Sequence, residues 1–188
     1  MKTKSTNIIM QNKNIILIAL AVAFILLLPL FAMQITDEVA WDLADFAIAG
    51  ALLFGTGLAY ELLARKAGII SYRAAVGVAL AAALLLVWMN LAVGIIGSED
   101  NPANLMYVGV LAVLIIGALI AHFRPRGMAR ALFATALAQA LVTVIALIAE
   151  KNLAVFEILM LNGFFVALWV GSALLFRRAD ATLNQRLE

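Results

Sequence analysis

Cysteine is absent from this 188-residue chain, which excludes disulfides, iron–sulfur clusters, thiol redox relays and zinc–thiolate sites. There is a single histidine, His122, so two-histidine haem ligation within one chain is excluded as well. Charge is scarce, at 13% of residues where a soluble globular domain carries about 25%. The net charge of +2 does not point to nucleic acid, because the basic residues come in threes along the chain rather than in one run. No lysine falls in mid-span and no arginine ladder occurs, so a retinal-type Schiff base and a voltage sensor are both excluded.

What fills the chain instead is apolar: 66% of residues are hydrophobic and the mean hydropathy is +1.09. About 20 apolar helical residues cross a bilayer core. Six stretches meet that length: Ile15 to Ile35, Asp45 to Ala64, Ala74 to Gly97, Leu105 to Phe123, Met128 to Ala149 and Val155 to Phe176. None shows the apolar–polar alternation of a barrel strand, and unsatisfied backbone is too costly in lipid, so the stretches are read as helices. The expected fold is all-α, a polytopic six-helix transmembrane bundle forming one integral-membrane domain over residues 1–188. A basic start, an apolar run and Pro29-Leu30-Phe31-Ala32 also resemble a cleavable signal peptide. The run exceeds the usual ~7 to 15 residues and Leu30 stands where a small residue is needed, so the first span is read as retained, kinked or frayed by Pro29.

Lysine and arginine give the orientation. Lys2, Lys4, Lys13, Arg65, Lys66, Arg73, Arg124, Arg126, Arg130, Arg177, Arg178 and Arg186 fall on one side and Lys151 alone on the other. The basic side is therefore expected to be cytoplasmic, with both termini there. The inner basic loops suit anionic lipid headgroups, but positive-inside topology already accounts for them. Acidic residues segregate oppositely: Asp37, Glu38, Asp42, Asp45, Glu99, Asp100, Glu150 and Glu157 lie outside, against Glu61, Asp180 and Glu188 inside. Insertion does not require that segregation.

Local signals fit these spans. Asn101-Pro102 is expected to start helix four and Gly127 to break the chain before helix five. Short connections make consecutive helices antiparallel neighbours. A repeat of three plus three helices is topologically open, with Trp88 and Trp169 in corresponding places, but neither half shows an interrupted helix. Helices in lipid associate through small residues. Ala47, Ala51, Gly55 and Ala59 form such a ridge on helix two, joined by Ala75, Ala79 and Ala83, by Gly109 and Gly117, by Ala134 and Ala138, and by Gly163, Ala167 and Gly171. They serve either a tight monomer or a seam with a second copy or a partner membrane protein.

Polar residues at membrane depth are functional candidates by default. Thr135, Gln139 and Thr143 share a face of helix five, which Glu150 extends outward, and Gln139 lies roughly 16 Å in from the inner end at 1.5 Å per residue. Asn90, Asn162, Asp42, Asp45, Glu99, Asp100 and Glu157 belong to the outer half. With Gln139 they are read as lining an outward-facing pocket for a cation or small solute, their hard oxygens suiting calcium, magnesium or manganese. The plainer readings are helix capping for Asp42, Asp45 and Glu157 and interhelical bonding for the amides. Trp41, Trp88, Tyr107 and Trp169 are read as interfacial anchors, Glu61 as the ion-pair partner of Arg65. His122 and Ser172 lie at similar depth, the one serine–histidine pair an enzyme reading offers. No enzyme activity, cofactor or defined metal site is read from these residues.

Thr36-Asp37-Glu38-Val39-Ala40-Trp41, Gly50-Ala51-Leu52-Leu53-Phe54-Gly55, Gly97-Ser98-Glu99-Asp100-Asn101-Pro102-Ala103-Asn104 and Arg124-Pro125-Arg126-Gly127-Met128-Ala129-Arg130 resemble stretches of small uncharacterised bacterial inner-membrane proteins. The resemblance covers helices one to five. It implies a bacterial cytoplasmic membrane and carries no activity. The expectation is a protein that binds or transports a cation or small solute; the alternative is a structural or accessory subunit that packs against partner helices.

Overall fold

A computed structural model describes residues 2–64, 68–149 and 155–186. Among them are six α-helices and no strand: α1 (Lys2–Ile35), α2 (Leu43–Ala64), α3 (Ile70–Ala92), α4 (Met106–Ile120), α5 (Pro125–Ala149) and α6 (Val155–Gln185), with a 3-10 turn, Pro102–Leu105, leading into α4. Counting that turn with α4, all six are long and apolar enough to cross a membrane. Phe24, Phe31, Ile120 and Phe156 are exposed while Thr135, Gln139, Asn162 and Ser172 are buried. That inversion suits an apolar surrounding, and the six helices suggest a multi-pass membrane protein.

The chain divides into two units, Met1–Leu62 and Leu63–Glu188. In the first, Asn14 Nδ2 donates to Glu61 Oε1 (2.7 Å), Ile18 meets the α carbon side of Gly57 and Leu26 that of Gly50. The pairs run in opposite senses along the chain, so α1 and α2 are antiparallel. Helix α1 continues through Pro29 to Ile35, so the proline does not end it. Glu61 thus has a partner on α1; Arg65 lies outside the described residues. A Cβ on Gly57 would stand 2.7 Å from Ile18 Cγ2, whereas one on Gly55 would meet nothing within 4 Å. The close approach therefore uses Gly57, and Ala47, Ala51 and Gly55 of the expected ridge are exposed.

In the second unit α5 packs against α4 and α6, and α6 against α3. Helix α3 thus has its main neighbour in α6 and not in α4, which follows it in sequence. Between α3 and α4 lies an apolar cavity of about 200 Å3, bordered by Tyr72, Val76, Leu114 and Ala118. The α3–α6 seam sets small residues against large ones: Ala75, Ala79, Ala82 and Leu86 are buried, as are Phe165, Trp169, Ala173 and Phe176. Each row recurs every three or four residues, so each occupies one helical face. Ser172 Oγ donates across the seam to Ala75 O (2.8 Å), and the Tyr72 and Phe176 rings meet edge to face at 5.1 Å. Of the glycines on α4, Gly117 is the packed one, where a Cβ would stand 2.7 Å from Ala131 Cβ on α5; Gly109 and α6's Gly163 and Gly171 have open space.

The α4–α5 turn is built without the expected glycine break. His122 (φ 48) and Phe123 (φ 56) take the left-handed conformation, Phe123 N donating to Ala118 O and His122 N to Leu119 O. That is the Schellman pattern of a helix end, here formed by two non-glycine residues. Pro125 opens α5, where a missing N–H costs nothing, and Gly127 lies inside α5. A Cβ on Gly127 would stand 2.7 Å from Ala121 Cβ, so this glycine permits a close approach instead of breaking a helix.

Candidate functional site

The deepest polar groups belong to α4, α5 and α6. Tyr107, Gln139 and Trp169 are fully buried and Asn162 is 1% exposed. Asn162 Oδ1 is the node: it accepts from Tyr107 Oη at 2.9 Å and from Gln139 Nε2 at 2.8 Å. Asn162 Nδ2 donates back to Ile158 O (3.0 Å), and Trp169 Nε1 makes a long bond of 3.5 Å to Gln139 Oε1. Asn162 and Trp169 are seven apart, two turns of α6, so both reach Gln139 from one face. An amide oxygen holds two lone pairs, and both of Asn162's are engaged. The flanking hydroxyls turn inward on their own helix, Thr135 to Ala131 O and Thr143 to Gln139 O, both at 2.9 Å. Among the described residues of the stripe on α5, Gln139 alone reaches another helix. Glu150, its expected outward extension, lies outside the described residues. Tyr107 and Trp169 are core residues, which corrects their reading as interfacial anchors: both reach a buried amide.

Among the described residues no acidic candidate takes part in this node's hydrogen bonds. Asp42 and Asp45, in the first unit, cap α2 reciprocally: Asp45 N donates to Asp42 Oδ1 and Asp42 N to Asp45 Oδ2, each at 2.9 Å. This is a capping box with aspartate at both positions, and each carboxylate uses one oxygen on backbone at the positive end of the helix. Glu99 and Asp100 are exposed on the loop before the 3-10 turn, and Glu157 is exposed in the first turn of α6. Among the described residues no three His, Asp or Glu side chains gather to hold a metal ion. Asn90, on α3, differs from the other amides. Its Oδ1 is buried without a hydrogen-bond partner among the described residues.

Sequence reasoning missed Asn104. Its Oδ1 accepts from Ile95 N (3.0 Å) and Ile96 N (2.9 Å), and its Nδ2 donates to Ser98 O (2.7 Å). The loop coils around this side chain because Gly94 (φ 70) and Gly97 (φ 72) both turn left-handed. A Cβ on Gly94 would stand 2.4 Å from Ser98 O, so no other residue fits. The signal was the paired glycines upstream of an asparagine in an otherwise apolar start to helix four. Asn101 behaves as expected, accepting from Ala103 N (2.9 Å) ahead of Pro102.

At the opposite end Tyr72 Oη donates to Phe123 O (2.9 Å), tying α3 to the α4–α5 turn. His122 is exposed with Nδ1 2.9 Å from Ile120 O, and Ser172 is buried on Ala75 O, so the two make no serine–histidine pair. Neither the apolar cavity at Tyr72 nor a second cavity near the ends of α5 and α6 is lined by any of the eight acid and amide candidates. Comparison with protein families, with curated proteins and with solved structures finds no match to this chain.

Proposed function

We propose that this chain is a bacterial cytoplasmic-membrane protein that crosses six times with both termini inside, and that its role is structural or accessory rather than enzymatic. The observation that supports this role is the Tyr107–Asn162–Gln139–Trp169 chain. A pathway for a cation or polar solute needs acceptors at membrane depth that face open volume; here both donors at the node converge on one oxygen and serve to join α4, α5 and α6. The twelve-to-one division of lysine and arginine supports the orientation. The unpartnered Asn90 Oδ1 favours a second reading, a binding site for a cation or hydrogen-bond donor at the end of α3.

The two are separated by reconstituting the protein in liposomes and nanodiscs. Flux of monovalent and divalent cations, and thermal stability across calcium, magnesium and manganese titrations, would be measured for wild type, Gln139→Leu and Asn90→Leu. The structural role expects no saturable response and a stability loss in Gln139→Leu alone. Saturable flux or stabilisation that disappears in Asn90→Leu would replace it with the binding role.

A further inference from the structure

The second cavity, about 510 Å3, opens between the first two turns of α5 and the last part of α6. Arg126 and Arg130 line it from α5, and Arg177, Asp180 and Asn184 from α6, with Phe133 in its wall. We propose that this cleft holds the phosphate of an anionic phospholipid headgroup, an inference that rests on the membrane-spanning reading above.

Convergence is the first argument. Positive-inside topology asks only that basic residues lie on one side; it does not ask that three of them, from two helices, face one volume. Arg126 and Arg130 are four apart and so share a face of α5, while Arg178, beside Arg177 on α6, and Arg186, just past the helix end, do not line the cleft. Three arginines and one aspartate line the cleft, and none of the three arginines is in an ion pair among the described residues, with Asp180 or otherwise. The cleft therefore carries excess positive charge in a form suited to phosphate, since the planar guanidinium donates two parallel N–H bonds to a pair of phosphate oxygens.

Depth is the second argument, and it favours a lipid over a soluble phosphate. Arg177 is the first charged residue after the apolar run that ends at Phe176, and α6 continues as helix to Gln185. On α5 the order is mirrored, with Arg126 and Arg130 preceding Phe133 and the apolar stretch. The guanidiniums thus lie where the apolar segments end, at headgroup level, while Phe133 offers an apolar wall on the acyl-chain side. A lipid presents both parts at those heights. A free phosphate uses only the first.

The test is native mass spectrometry of the full-length protein with phosphatidylglycerol or phosphatidylcholine, alongside flotation with phosphatidylcholine vesicles. Arg130→Gln and Arg177→Gln should each weaken phosphatidylglycerol binding about fivefold, by the usual worth of one basic residue near an anionic surface. Arg178→Gln, on the same helix end but outside the cleft, should leave it unchanged. Equal weakening in Arg178→Gln, or no preference for phosphatidylglycerol in a protein that floats with the vesicles, would overturn the cleft assignment. Displacement of the lipid by millimolar inorganic phosphate would reassign the site to a soluble anion. A protein that fails to float would instead refute the membrane-spanning reading itself.

Discussion

Replacing Asn162 by leucine, which is close in volume, removes the one oxygen that both Tyr107 Oη and Gln139 Nε2 address. Two buried donors lose their acceptor together. Leaving a buried polar group unsatisfied costs about 1–3 kcal/mol, and interhelical hydrogen bonds in a membrane average ~0.6 kcal/mol with a ceiling near ~1.7. Two such losses give roughly 1 to 4 kcal/mol for Asn162→Leu. Tyr107→Phe removes one donor and leaves Asn162 Oδ1 engaged by Gln139, so its cost should be about 0.6 kcal/mol. The double variant Tyr107→Phe/Asn162→Leu should then cost less than the two singles added, by about 0.5–1.5 kcal/mol, because the tyrosine hydroxyl is a burden once its acceptor is gone. Reversible unfolding in mixed micelles, titrated with denaturing detergent, measures all three. If the singles add, or if Asn162→Leu costs no more than Tyr107→Phe, the node does not join these helices as described.

Other variants probe the surrounding parts. Asn104→Ala strands Ile95 N and Ile96 N and should cost about 2 kcal/mol or more, with faster amide exchange at both residues. Asn90→Leu should leave stability unchanged or raise it by up to about 1 kcal/mol, because it deletes an acceptor that has no donor. A clear destabilisation there would mean that the oxygen is normally occupied. Gly117→Ala and Gly109→Ala place the same methyl on the same helix. The first meets Ala131 and should cost about 1–3 kcal/mol, while the second, in open space, should gain up to about 1 kcal/mol, and equal effects would contradict the α4–α5 contact.

The helices were legible because length and hydropathy alone decide them, whatever their neighbours; all six apolar stretches correspond to helices. Their ends were less so. Expected to run to Gly97, α3 stops at Ala92 because the backbone turns left-handed at Gly94, and α6 runs nine residues past Phe176 because nothing in Arg177 to Gln185 breaks a helix. Partner choice was legible only in part: α3 packs mainly on α6 and not on α4, which follows it. Short connections made α5 a neighbour of α4 and α6, as it is, but spacing that puts Gln139 on one face and Asn162 on another helix does not say that the two amides meet, nor that Tyr107 and Trp169 point inward. Small-residue rows held in part: Ala75 and Ala79 are buried, but Gly117 and Gly109 look alike until the crossing point is known. Asp42 and Asp45 were the reverse case, since a reciprocal cap needs only residues three apart.

The α4–α5 turn bears on the order of assembly. Left-handed backbone at an ordinary residue costs roughly 1–2 kcal/mol, and here His122 and Phe123 both adopt it. The contact that fastens this turn from outside, Tyr72 Oη on Phe123 O, comes from a helix upstream in the chain. During synthesis α3 emerges before the hairpin whose bend it secures, so the donor is already present when the bend must form. A hairpin made of α4 and α5 alone keeps its own Schellman bonds but lacks that fastening from α3.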